Sequence, residues 1–587
     1  MKNIKNMKNW SIITLFFLIM TSCSKDFLNR PPQDSVVDGG FYQTDDQMRA
    51  ATALLYGRIW TDYNDKATYG LGDFRGGSAM SLYSDPYNMW FATTGTTGEN
   101  VSAWEGFYNV ITQSNTAIDN INRYAGSGVS DAVKQACIGE ARFMRALAYR
   151  YLVMNWGAVP IITDDESLLI NPTSIQTNTV QSIWKFCTNE MQQAVSELPD
   201  VASAPGRLTK WSAEGMLARF YLSRSGEEST GGQRNQQFLD SAKYYAQRVI
   251  TMSGKSLLPS YRDLFLAAPT GTNYNNNNES LFELQWIYKP GGGTQNLNYG
   301  NANTYPSYIN CSTYISCDGW GGDKSATFWM LSQYDGFTLC ATGDTLSGST
   351  LDQRLHETFM FPGFSYPEIT QTINGADQKP FIYPNNGFDG KTFAGSQSTT
   401  GNPSSANIKK YCIGQPKDVG GNADIMDYPN DTYMLRLAEI YLIYAEAELG
   451  NQTSTSDPTA LQYFNAVHTR AGLPAVTGPL TFDQIFKERA IEFAMESQLW
   501  YQLVDLHYWN PQKAYDIINN QFRGQFAIFP NVFPNPTSWQ IVQTQSAANG
   551  DRVYATANDG NFLLPLPTSE VTVAPNLTQP PVDYYAK

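Results

Sequence analysis

The sequence predicts a mainly α-helical protein in which antiparallel helix pairs frame a long, irregular, loop-rich insertion. Three observations point there. Apolar residues recur at helical spacing through a first block, about residues 41–254, and again through a second, about 431–510. Between them, about 255–430, Gly, Asn, Tyr and Pro dominate, with only short strand-like runs such as 280–288. That stretch is too long to be a mere connection, so it is expected to carry function. A C-terminal segment, 511–587, closes the chain.

Taken in order, residues 44–60 place Met48, Ala51, Leu54, Leu55 and Ile59 on one helix face, with Thr44 as a cap and Asp45 and Asp46 in the first turn. Residues 61–100 lose periodicity and become rich in Gly, Tyr, Asp and Ser. Helical spacing returns over 101–124 and 130–156, the latter stopped by Gly157-Ala158-Val159-Pro160. Further helices are expected over 180–198, 210–225, 236–252, 432–449, 458–471 and 481–508. Trp211, Leu217, Ala218 and Tyr221, followed by Ala242, Tyr245, Ala246 and Val249, set small residues where two helices approach and aromatics where they interlock. Leu437, Ala438, Tyr441 and Ala445, then Ala460, Phe464 and Val467, do the same. The pattern resembles tetratricopeptide packing, although segments such as 226–235 break a strict period.

The 587 residues carry 54 acidic and 40 basic side chains, a formal net charge of -14, which disfavours a nucleic-acid partner. Charged residues are 16% of the chain and aromatics 13%, against about 25% charged in ordinary domains, so the surface suits neutral polar ligands. The first 22 residues read as an export signal: Lys2, Lys5 and Lys8 precede an apolar run, 10–20, too short to span a bilayer comfortably. Met20-Thr21-Ser22-Cys23 resembles a bacterial lipobox, which makes Cys23 the expected lipidation site and 23–587 the mature protein. The remaining cysteines form no CxxC pair or Cys/His cluster, so a structural zinc is not expected. Cys311 and Cys317 either close a small disulfide ring or remain free thiols.

Several longer motifs resemble those of the SusD/RagB family of outer-membrane nutrient-binding lipoproteins. They run in family order: Cys23-Ser24-Lys25-Asp26-Phe27-Leu28 with Pro31 and Pro32, Ala141-Arg142-Phe143-Met144-Arg145-Ala146, Arg436-Leu437-Ala438-Glu439-Ile440-Tyr441, Thr469-Arg470-Ala471-Gly472-Leu473, Lys487-Glu488-Arg489-Ala490-Ile491-Glu492, and Leu563-Leu564-Pro565-Leu566-Pro567. After Glu496 the family pattern has Gly-x-Arg-x-x-Asp-Leu-x-Arg-Trp, where this chain has Ser497 to Trp509 without the arginines. The resemblance implies a scaffold of four tetratricopeptide-like helix pairs, lipid-anchored in the outer membrane and exposed at the cell surface. It also implies a lid over a SusC-like TonB-dependent transporter that captures oligosaccharide or polysaccharide without catalysis.

Glu488, Glu492 and Glu496 share one face at helical spacing and could be mistaken for a glycosidase pair. Like charges so spaced repel, and pairing with Arg489, Arg470, Arg436 or other cations is the expected outcome. HExxH, GxSxG and P-loop motifs are absent, and His356, His468 and His507 stand apart from one another. Neutral sugars present apolar C–H faces ringed by hydroxyls, which aromatic planes and polar forks match. The expected ligand residues are therefore Asp73, Arg75, Tyr83 and Trp90 in the first rich segment, and Trp286, Tyr288, Tyr314, Trp320 and Asp323 in the insertion, with Trp320 as the main platform. A peptide-binding lid and, more distantly, a surface glycosidase are the alternatives. No cofactor is expected; Asp and Asn scattered through the insertion form no EF-hand, and a structural calcium is left open.

Overall fold

The computed structural model describes residues 38–81, 87–165, 171–268, 271–272, 275–288, 302–309, 324–373, 376–383, 406–424 and 426–586. Its longer helices are α1 (Asp45–Ala53), α2 (Gly98–Tyr124), α3 (Asp131–Trp156), α4 (Val180–Glu197), α5 (Lys210–Glu227), α6 (Gln236–Met252), α7 (Leu437–Leu449), α8 (Pro458–Arg470), α9 (Phe482–Glu492), α10 (Leu499–Trp509) and α11 (Pro511–Asn519). Most begin where a side chain can accept from the free backbone amides of the first turn. Thr44, Ser130, Thr179, Thr209, Asn235, Asp457, Thr481 and Asn510 each do so.

From α2 to α8 each helix packs on the next, and the series passes straight over the insertion, because α6 lies against α7. The helix-pair expectation holds in detail: Tyr221 stacks on Tyr245 at 5.8 Å between α5 and α6, and Tyr441 on Tyr463 at 5.1 Å between α7 and α8. Polar residues lock neighbouring helices inside the array. Arg145 and Arg142 of α3 both bind Glu190 of α4, at 2.5 and 3.0 Å, and Arg219 of α5 binds Glu439 of α7 at 2.8 Å. Among the described residues no helix is long and apolar enough to cross a membrane.

Several local readings need correction. The first predicted helix stops at Ala53 and continues as two tight 3₁₀ turns, 54–56 and 58–60. The aperiodic stretch after it is helical in part: residues 63–67 and 70–74 form wide π turns that bury Tyr63, Leu71 and Phe74. A π turn takes more residues to complete than an α turn, so apolar residues there fall out of helical register. Residues 432–436 are not helix but strand, since Thr-Tyr-Met-Leu-Arg is buried on both faces and pairs with 280–284.

The strands are β1 (Ala79–Ser81), β2 (Ser280–Leu284), β3 (Lys324–Ala326), β4 (Phe337–Leu339), β5 (Thr345–Gly348), β6 (Thr432–Arg436), β7 (Phe526–Pro530) and β8 (Trp539–Gln543), besides several shorter pairings. The insertion is more than loops. Its β4 and β5 join β7 and β8 of the C-terminal segment in one antiparallel sheet, ordered β7-β8-β5-β4. Around them Tyr261, Phe265, Phe328, Phe359, Phe361, Phe526, Ile528 and Ile541 form a second apolar core beside the one inside the helical array.

The helix expected over 481–508 is broken at 493–498, where Met495 and Ser497 take positive φ values of 63° and 59°. Ser497 stands where the family pattern has Gly, the residue that adopts this conformation without strain. Gly72 presses against the same turn: a Cβ there would lie 2.4 Å from Ser497 Cβ and 2.6 Å from its Cα. Gly72→Ala is therefore expected to destabilise the fold by about 2–3 kcal/mol, because backbone must move on one side or the other. A urea midpoint equal to wild type would refute the need for that close approach.

Candidate functional site

The first and second aromatic-rich segments, some 240 residues apart in sequence, share a root. β1 pairs antiparallel with β3 in the register Ala79↔Ala326, Met80↔Ser325 and Ser81↔Lys324. Ser325 also bridges to Asn407, whose Nδ2 donates to the Lys324 carbonyl at 3.0 Å, while Ala326 N donates to the Ala406 carbonyl. Tyr383 Oη donates to Asn407 Oδ1 from the other flank. The ladder is sealed: Ala79, Ser325, Ala326 and Asn407 are buried, and Lys324 has its ammonium 5.6 Å from the Tyr69 ring. Residues 82–86, 310–323 and 384–405 thus each adjoin this small ladder in sequence. Tyr83, Tyr314, Trp320 and Asp323 belong to those segments and lie outside the described residues, as do Cys23, Cys311 and Cys317.

The structure gives Asp73 a different place from the expected one. Its side chain is fully buried and braces the 493–498 turn: Oδ1 accepts from Met495 N at 2.9 Å and Ser78 Oγ at 2.7 Å, and Oδ2 from Ser497 N at 3.1 Å. Burial pushes this carboxyl up to about 6, against the pull of those same hydrogen bonds. Trp286 is likewise withdrawn from solvent. Its backbone N donates to Asp431 Oδ1 at 2.9 Å and its indole to Thr432 Oγ1 at 3.1 Å, which fixes it beside the β2–β6 ladder. Both residues hold the site's frame rather than a ligand, since a side chain with every polar atom engaged inside the fold offers nothing outward.

Tyr288, half-buried, follows directly on that frame; burial and then the charges of Asp427 and Asp424 raise its phenol above the ordinary range. Trp90 is half-buried too, with the Arg552 guanidinium 4.9 Å over its ring and Arg552 Nη2 donating to its carbonyl at 2.8 Å. Arg75, almost fully buried, lies 4.2 Å over the Trp500 ring and donates through Nη2 to the Asn561 carbonyl. Trp90 and Arg75 are therefore supported by the C-terminal segment, whereas Trp286 is supported by Asp431 and Thr432. The roles of Asn407 and Asn561 were not anticipated. A lone Asn in a polar segment has no distinguishing spacing, and only the bridge it completes reveals it.

The acidic cluster is a lock. Arg354 binds Glu488 at 2.7 Å and Glu492 at 3.1 Å; Arg436 binds Glu492 at 3.0 Å, Glu496 at 2.7 Å and Glu279 at 2.7 Å; Arg470 joins Glu279 to Glu492. Lys410 adds to Glu496 and His468 to Glu488, each at 2.8 Å. All three glutamates are buried among cations; burial alone would raise Glu488 and Glu492, but the arginines beside them hold both carboxyls below the usual carboxylate range. His356 and His507 also have carboxylate partners, Glu357 and Asp559. Among the described residues no group of three His, Cys, Asp or Glu side chains is placed to hold a metal ion.

An array of helix pairs, with a second core rooting polar and aromatic-rich segments side by side, is the architecture of a ligand-binding scaffold. Residues 271–585 match the SusD family, and the chain belongs to it. Residues 73–222 also match a family described as starch-binding, associating with outer membrane. A SusD-like protein of Bacteroides ovatus is 34% identical over 588 residues, 98% of this chain and 97% of its own length. A solved structure with xylogluco-oligosaccharide is 31% identical, with a TM-score of 0.75 over 92% of this chain and 99% of its own. A laminarin-binding SusD-like protein, 20% identical, shares the fold with a TM-score of 0.59 over 91% of this chain and 98% of its own.

Proposed function

We propose that this protein captures glycan at the outer membrane without chemical change and hands it to a SusC-like TonB-dependent transporter. The reading rests on one observation above all: the ladder Ser81↔Lys324, extended through Ser325↔Asn407, gathers the roots of three polar segments, two of which carry Tyr83, Tyr314 and Trp320, on a buried base. A preformed base lowers the ordering cost of binding, which suits weakly held, hydroxyl-rich ligands. The related structure that holds a xylogluco-oligosaccharide makes a plant-type β-glucan the first candidate ligand. Cys23 carries the lipid that tethers the mature chain, 23–587, at the cell surface, and the insertion, 255–430, supplies much of the ligand face. Tyr83, Tyr288, Tyr314 and Trp90 contribute aromatic surface, Asp323 a polar contact, and Trp320 the main platform.

The purified mature chain is expected to bind xyloglucan, laminarin or starch selectively in affinity electrophoresis and calorimetry, leaving the polymer intact. Trp320→Ala is expected to weaken that binding by about tenfold or more, the loss typical of a central aromatic anchor. Retention of peptides instead of glycans would favour a peptide-binding lid. Release of shorter sugars would overturn the non-catalytic reading. Binding unchanged in Trp320→Ala would overturn the platform assignment.

A further inference from the structure

Two buried arginines, Arg75 and Arg523, are linked through the Arg75 backbone carbonyl, and among the described residues neither has a carboxylate partner. Arg75 follows the helical turn 70–74, and beside it opens a pocket of about 420 Å³, walled by Arg75, Phe91, Thr93, Asn561, Leu563 and Pro565 among others. Arg75 is 2% exposed; its Nη2 meets the Asn561 carbonyl, while its buried Nη1 has no hydrogen-bond partner. Behind it Arg523, 1% exposed, donates to the carbonyls of Phe74, Met89 and Arg75 and to Gln521 Oε1. Its guanidinium carbon lies 5.6 Å from the ring centre of Phe91, one of the pocket walls.

Among the described residues every acceptor these two arginines meet is neutral. Burial accordingly lowers both to about 9. Elsewhere in this acidic chain the buried arginines Arg145, Arg219, Arg354 and Arg436 each face a carboxylate. The carboxylate nearest in sequence to the pocket-lining Gly560 and Asn561 is Asp559, and it is taken by Tyr515 and His507. A buried cation without a partner is costly, and that cost falls when an anion enters a site of low polarity beside it.

We propose that this pocket binds a carboxylate borne on a small ligand, with Arg75 as its direct partner and Arg523 as supporting charge. The shared chemistry fits two sources, a uronate residue of an acidic glycan or a free small carboxylic acid. In either case the carboxylate accepts from Arg75, a hydroxyl reaches Thr93, and C–H surface lies against Phe91, Leu563 and Pro565. A guanidinium fork matches a carboxylate in shape as well as charge. None of the pocket's walls belongs to residues 82–86, 310–323 or 384–405, so the proposal stands whether or not those segments bind neutral glycan.

The test is calorimetric titration of the mature chain with sodium glucuronate, with glucose as the neutral control and acetate as the bare acid. Glucuronate is expected to bind about tenfold or more tightly than glucose, with affinity falling as salt rises. Arg75→Gln is expected to abolish that preference. Should Arg75→Gln fail to fold, Leu563→Glu decides. Leu563 is 51% exposed, so the change is tolerated, and it sets a negative charge at the pocket wall that is expected to weaken glucuronate binding about tenfold or more. Acetate competing as well as glucuronate would support the proposal with a free acid as the source; acetate competing only weakly would support it with a uronate. Equal binding of glucuronate and glucose, or glucuronate binding indifferent to Leu563→Glu, would overturn it. Neutral polysaccharide retention, measured in parallel, reports on the ladder-rooted face alone.

Discussion

In Glu492→Gln the free energy of unfolding at neutral pH is expected to fall by about 3–5 kcal/mol, because one buried carboxylate balances three buried arginines. Burial alone would raise this carboxyl; Arg470, then Arg436 and Arg354, overcome that and hold it at about 2. A folded value below the unfolded one means stability that is fully present above about pH 5 and is lost as pH falls toward 2. That difference corresponds to about 3 kcal/mol between neutral and acid conditions. Chemical denaturation between pH 2 and pH 7 checks both statements: wild type should lose stability on the acid side with a slope the Gln variant lacks. Identical midpoints at pH 7 would show that Arg354, Arg436 and Arg470 are balanced by Glu279, Glu488 and Glu496 without it.

Asp73→Ala is expected to destabilise the fold by about 3 kcal/mol, since it orphans the buried amides of Met495 and Ser497 in a turn already held at positive φ. The sign of its pH dependence is opposite to that of Glu492. With the folded carboxyl raised to about 6, this group favours folding most below about pH 4 and loses that contribution as pH rises through 6. The discriminating pair of measurements is thermal stability and glycan affinity at a temperature where the variant remains folded. A large stability loss with affinity retained is the expected result. Lost affinity with stability intact would return Asp73 to the ligand.

The helical array was legible because its helix pairs repeat one pattern, with small residues at crossings and tyrosines that interlock, and all of α2 to α8 but α2 and α7 start with a side-chain cap written locally. Tyr221 on Tyr245 and Tyr441 on Tyr463 are that pattern realised. What the spacing could not convey was any feature made by residues distant in sequence. Residues 432–436 read as helix because they run directly into α7, and only their pairing with β2 makes them strand. Asp73 and Trp286 looked like ligand residues because their neighbours in sequence are polar, yet their burial comes from partners more than a hundred residues away. The glutamate cluster was readable for a different reason: three like charges on one face require cations, whichever elements supply them. The lipid anchor, the transporter and the ligand-bearing segments rest on family resemblance and on the ladder that roots those segments.

The contact of α6 with α7 has an evolutionary corollary. The helical stack runs on past the excursion between residues 252 and 437, but Leu281, Phe282 and Leu284 of that excursion sit in the stack's own core and Arg354 pairs with Glu488 and Glu492, so only its outer parts could be replaced without disturbing the stack. Yet its sheet is completed by β7 and β8 from beyond residue 525, so a graft of the excursion alone would leave an open strand edge. Recombination that retunes such a protein for a new nutrient must therefore carry two separate stretches of gene together, and chimaeras should succeed or aggregate according to whether both came from the same parent.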